Sequence, residues 1–73
     1  MITVILKPKK EESLQRFHPW VFSGAIQNIE GKPAEGDLVE VLDNKRNFLA
    51  IGHYQIGSIA VRVISFSRED IDN

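Results

Sequence analysis

The chain contains no cysteine, so disulfides and thiolate metal sites are excluded. Its two histidines, His18 and His53, are far apart and make a poor metal site without thiols. No apolar run approaches the ~18 residues of a membrane span. The opening Ile2-Thr3-Val4-Ile5-Leu6 is too short for a signal peptide and lacks a basic leader. These features predict a soluble, cytoplasmic protein without a membrane or metal partner. None of Gly24, Gly31, Gly36, Gly52 and Gly57 is separated from another by a single residue, which excludes a glycine-rich phosphate loop. Ser13 or Ser23, His18 or His53, and Asp37 or Asp43 could be drawn as a triad, yet no nucleophile sits on a turn signature beside a base. No catalytic residue is assigned.

With 73 residues, the chain is a single domain near the lower size limit for unaided folding. Lacking staples, it reads as part of a larger protein or as an oligomer. The net charge of −1 becomes +2 without the acidic tail of Glu69, Asp70 and Asp72. Lys7, Lys9, Lys10 and Arg16 outnumber Glu11 and Glu12 near the start. That cluster suits either a solvated surface or a nucleic-acid footprint.

Alternation predicts a strand over residues 2–7, ended by Pro8, which has no N–H for a ladder. A short helix is expected over Lys9 to Phe17, with acids early, Arg16 late, and Leu14 and Phe17 on one face. Pro19 should stop it at Phe17. Further strands are expected at 20–22, 25–29, 38–42, 48–54 and 59–66, with Gly24 free to take positive φ at a turn. Residues 43–47 read as a hairpin connection without glycine, where Asn44 or Asn47 should hold any left-handed position. Phe48 to Tyr54 is apolar on both faces, which suits a strand in a small closed barrel. The expected fold is mainly β, a small pseudo-barrel of about six strands with one short N-terminal helix. Residues 1–67 form the domain and 68–73 begin a linker.

Basic residues beside His18, Trp20 and Phe22 suit phosphate contacts plus base stacking. Alternatively, Trp20 and Phe22 point inward as core, as Phe48 and Tyr54 should. Arg62 is expected at a surface or edge position.

The stretch His18-Pro19-Trp20-Val21-Phe22-Ser23-Gly24-Ala25-Ile26 resembles the start of the class I methyltransferases that make 5-methylcytosine in large-subunit ribosomal RNA. The stretches Gly36 to Val41, Phe48 to Tyr54 and Ile59 to Phe66 look like the same family, so that the resemblance runs from Val4 to Phe66. Family members often carry a glycine near Lys45-Arg46, which this hairpin lacks. The resemblance implies a PUA domain that binds structured RNA, followed in the longer protein by a catalytic domain that uses S-adenosylmethionine. It implies no catalysis and no cofactor in these residues. The RNA surface it implies comprises Lys9, Lys10, Arg16, His18, Ser23 and Gly24, with cations on phosphates, hydrogen bonds from His18 and Ser23, and close backbone approach at Gly24. A second expectation is a protein-contact barrel, docking its own catalytic domain or forming a homodimer, marked by Trp20 or Phe22 facing outward.

Overall fold

The structure, a computed structural model, describes residues 2–10 and 18–66. Strands form where β-branched and aromatic residues dominate: β1 (Ile2–Leu6), β2 (Trp20–Phe22), β3 (Ile26–Glu30), β4 (Leu38–Leu42), β5 (Phe48–Tyr54) and β6 (Ile59–Ser65). They make one sheet in the order β2-β6-β5-β4-β1-β3. Only β1 and β4 run parallel, with Val4 opposite Val41. The architecture is therefore mainly β, as expected.

The sheet has to curl, and its connectivity shows why. Strands spaced ~4.8 Å apart would put the outer strands of a flat six-stranded sheet about 24 Å from one another. Here the outer strands are β2 and β3, which are consecutive in the chain and joined by the 3-10 turn Ser23–Ala25 alone. Such a link reaches at most about 14 Å. The two edges must come round towards each other. Each antiparallel pair also carries a register irregularity, between Ile5 and Leu6, Val21 and Phe22, Val41 and Leu42, and Ile51 and Gly52. Irregularities of this kind bend strands and add twist. A hydrogen bond from the Lys7 N–H to the Ala25 carbonyl (2.9 Å) ties the end of β1 to the turn.

The concave face holds the core: Val4, Leu6, Val21, Val39, Val41, Ala50, Ala60 and Val61 are all buried. Half-buried Tyr54 packs against this cluster, while Phe48 is half-buried outside it. Thr3, Ile5, Leu42 and Ile51, on the opposite pleat face, are buried as well. The central strands are thus covered on both sides, which explains the near-continuous apolar runs of β1 and β5.

Three local expectations need correction. Lys9 has a φ of 69°, so no helix starts there. It is the third residue of a turn closed by the Lys10 N–H donating to the Lys7 carbonyl (3.1 Å), with Pro8 in the second place that its fixed φ favours. Residues 11–17 of the expected helix, and 67–73 of the expected linker, lie outside the described residues. Among those described, the only helical element is the 3-10 turn.

In the β4–β5 hairpin the left-handed residue is Arg46 (φ 68°), neither Asn44 nor Asn47. The Asp43 carboxylate accepts from the Lys45 and Asn47 N–H groups (2.8 Å each) and from the Asn47 side-chain amide (3.0 Å), which occupies Asn47 elsewhere. Arg46 meanwhile forks onto Glu30 of β3 at 2.7–3.0 Å. This is the place where a glycine would ordinarily sit. Gly24, third, is not among the residues of positive φ.

Candidate nucleic-acid interface

Strand β2 alternates about Val21. That residue is buried in the core, so its neighbours Trp20 and Phe22 project to the other side. Phe22 is 52% exposed, which selects the outward of its two expected orientations. Trp20 is half-buried, and its indole N–H is enclosed without a hydrogen-bond partner. An enclosed donor left unpaired costs about 1–3 kcal/mol. The alternation was visible in the letters: a short edge strand with one aliphatic residue between two aromatics can bury only one side.

His18 completes an aromatic group. Its ring meets Trp20 edge-on at 4.8 Å and lies 6.4 Å from Phe22, while Trp20 and Phe22 meet edge-on at 6.4 Å. Edge-to-face contacts of this kind are worth about 0.5–1.5 kcal/mol beyond burial. The His18 Nδ1 lies 3.3 Å from the Trp20 carbonyl oxygen. A carbonyl only accepts, so in this contact Nδ1 carries the proton, and Nε2 has no partner among the described residues. Pro19 holds the group against the sheet, its carbonyl accepting from the Val63 N–H at 2.8 Å.

Beside these rings runs a groove of about 370 Å³, lined by Leu6, Lys10, Trp20, Val21, Phe22, Gly24 and Ala25. Its floor is apolar and one wall is aromatic, with a cation from Lys10. Of the residues expected to contact RNA, Lys10 and Gly24 line the groove and His18 stands against its aromatic wall. Lys9 and Ser23 do not line it; they adjoin lining residues in the chain and are exposed. The Ser23 N–H donates to the Ser58 carbonyl (2.8 Å), and its hydroxyl has no partner among the described residues. Arg16 lies outside the described residues. Among the described residues, neither Lys9 nor Lys10 meets a carboxylate. Apart from its chain neighbours, no atom of the described residues lies within 4 Å of where a Cβ on Gly24 would stand, so its backbone is open towards them.

Lys9 adds a backbone observation. A left-handed φ costs a lysine roughly 1–2 kcal/mol relative to glycine. The turn therefore presents a cation where glycine would be more stable. Chemically, the assembly offers cations, stackable ring faces and accessible backbone in one place, the requirements of an anionic ligand with planar rings. Among the described residues no group of His, Asp or Glu is arranged to hold a metal ion. No helix among them is long and apolar enough to cross a membrane.

The sequence pattern of the PUA-like domain family matches residues 4–66. The chain is 47% identical over 73 residues to a protein of Photobacterium profundum named ribosomal RNA large subunit methyltransferase I, covering 97% of this chain. It is 44% identical over 70 residues to the protein of that name from Shewanella amazonensis, covering 94% of this chain. In both cases it spans 18% of the relative's length. With the curled six-stranded sheet and the match across nearly all of its described residues, the chain belongs to the PUA-like domain family.

Proposed function

We propose that this chain is an RNA-binding module of a ribosomal RNA large-subunit methyltransferase, holding ribosomal RNA for a catalytic region elsewhere in the longer protein. The observation that carries the reading is the groove in which Lys10, Gly24 and the His18–Trp20–Phe22 group converge. Unpaired cations supply affinity for the phosphate chain, and exposed aromatic faces give bases somewhere to stack. Lys9, held in its costly turn next to Lys10, adds a second exposed cation. His18 and Ser23 offer Nε2 and a free hydroxyl to bases or 2′-hydroxyls. Arg16, outside the described residues, is assigned to RNA contact on the family resemblance alone.

The relatives' name implies methyl transfer, and S-adenosylmethionine is the donor expected of the longer protein. Among the described lining residues no carboxylate stands to receive its ribose hydroxyls or ammonium group, so we assign that cofactor and the catalytic residues to the remaining length of the relatives. A cytoplasmic location follows from the ribosomal substrate.

The test is equilibrium binding of the 73-residue chain to fragments of large-subunit ribosomal RNA at low salt. Binding that weakens steeply as salt rises supports the reading, and no binding removes it. The outward Phe22 supports a second reading, a protein-contact surface for the catalytic region or a homodimer. Concentration-dependent sedimentation that is lost on Phe22→Ser substitution would favour it.

A further inference from the structure

Beyond the groove, the cross-strand register sets three residues in one row. Arg62 of β6 is directly opposite Trp20 of β2 on one side and His53 of β5 on the other. Directly opposed residues have Cβ atoms about 4.5–5.5 Å apart on a shared face. The row therefore runs indole, guanidinium, imidazole across three adjacent strands. Arg62 and His53 are both exposed. As expected, Arg62 is at the surface, but β6 is an inner strand of the sheet, so it is not at an edge.

The two described arginines differ in a telling way. Arg46 is neutralised by Glu30 in a bidentate pair at 2.7–3.0 Å. Arg62 has no ion pair or hydrogen bond among the described residues. The acid of β4 on that face, Glu40, is in register with Ile51 and so sits outside the row, where it accepts from the Thr3 hydroxyl at 3.3 Å. His53 is oriented by its Nδ1, which donates to the Gly36 carbonyl (3.0 Å) and leaves Nε2 as the available ring nitrogen. An unpaired guanidinium presents a fork of donors that matches two phosphate oxygens.

We propose that Trp20, Arg62 and His53 form a second RNA contact, a strip across β2, β6 and β5, exposed at Arg62 and His53, that takes a phosphate of the single-stranded chain leaving the groove. Arg62 binds the phosphate in bidentate fashion and His53 Nε2 contacts the adjoining sugar or phosphate. Trp20, which borders both groove and strip, sets the point where the strand crosses from one to the other. The strip rests on the RNA-binding reading of the groove and extends it to a longer footprint.

The experiment compares fluorescence anisotropy of two labelled single-stranded RNAs, about four and about twelve nucleotides long, lengths that bracket small-barrel sites. Proteins are the unaltered chain and its Arg62→Gln, Arg62→Lys, His53→Gln and Arg46→Gln variants, each first checked for folding by circular dichroism. Arg62→Gln is expected to weaken binding of the longer RNA about tenfold and to lower the salt slope by about 0.7, one phosphate contact on a single strand. The shorter RNA should be much less affected. Arg62→Lys should recover only part of the loss, and Arg46→Gln should change nothing. If Arg62→Gln does not fold, the His53→Gln variant carries the test, with a smaller loss confined to the longer RNA. Equal affinity and slope for unaltered chain and folded Arg62→Gln would overturn the strip while leaving the groove intact. Absence of RNA binding by the unaltered chain would remove both. A change in self-association with RNA affinity intact would assign the strip to protein contact instead.

Discussion

Gly52 of β5 lies so close to Arg62 of β6 that a Cβ on Gly52 would stand 2.4 Å from the Arg62 carbonyl oxygen and 2.7 Å from a Val61 methyl. The nearest obstacle is backbone, which cannot swing aside like a side-chain tip. The glycine thereby sets how closely β5 and β6 approach, and with it the row that places Arg62 beside His53.

Gly52→Ala should therefore destabilise the fold, by at least the 1–3 kcal/mol typical of overpacking. Urea denaturation is the check. A change below about 0.5 kcal/mol would mean that β6 yields easily and that the close approach does not hold the register.

Gly24→Ala should behave in the opposite way. Its Cβ would meet no atom of the described residues beyond its chain neighbours and its φ is not left-handed, so stability should hold or rise slightly. RNA affinity should nevertheless fall, because the methyl would occupy space at the groove wall. The pair of alanine substitutions thus separates a glycine needed by the fold from one open to a ligand.

Trp20→Phe should cost little, under about 1 kcal/mol. The smaller ring loses buried area, but the enclosed and unpaired indole N–H is removed at the same time, and the two effects are of similar size. Equilibrium unfolding decides. A loss above about 2 kcal/mol would mean that the N–H is satisfied in solution.

The β4–β5 hairpin should weaken in acid. The hydrogen bond from the Asn47 N–H, chiefly, holds the Asp43 carboxyl below its ordinary value of 3.8, against the opposing effect of partial burial. The Asn47 side chain and the N–H and charge of Lys45 act in the same direction as the Asn47 N–H. A carboxylate depressed on folding contributes stability that is fully present above the unfolded value and is lost as pH falls through the folded one. Thermal unfolding midpoints should therefore drop below about pH 4. Asp43→Asn should flatten that drop, and an unchanged acid profile in this variant would exclude the hairpin as its source.

The strands were legible because β-branched residues and their punctuation act locally: residues 38–42 and 48–54 are strands in both readings. The curl was legible only in outline, since it depends on β2 and β3 becoming the two edges of the sheet, a long-range pairing. The hairpin's left-handed residue was misplaced because Asn propensity was outweighed by Asp43 recruiting Asn47, with Arg46 reaching Glu30 across the sheet. In the candidate site, Lys10, Gly24 and His18 came from the family resemblance, with only the basic cluster as support from the residues themselves. The direction of Phe22 stayed open in the letters, and its parity with Val21 is what sends it outward. Arg62 was read as an isolated surface residue because its neighbours, Trp20 and His53, are far from it in sequence and meet it only through pairing.

The most direct test of the account is the slope of log affinity against log salt for a large-subunit ribosomal RNA fragment, measured for the unaltered chain and for a Lys9→Gln/Lys10→Gln double variant. Loss of two phosphate contacts should lower the slope by about 1.4 on single-stranded RNA, with affinity falling at low salt and the fold unchanged. An identical slope and affinity in the folded double variant would contradict it.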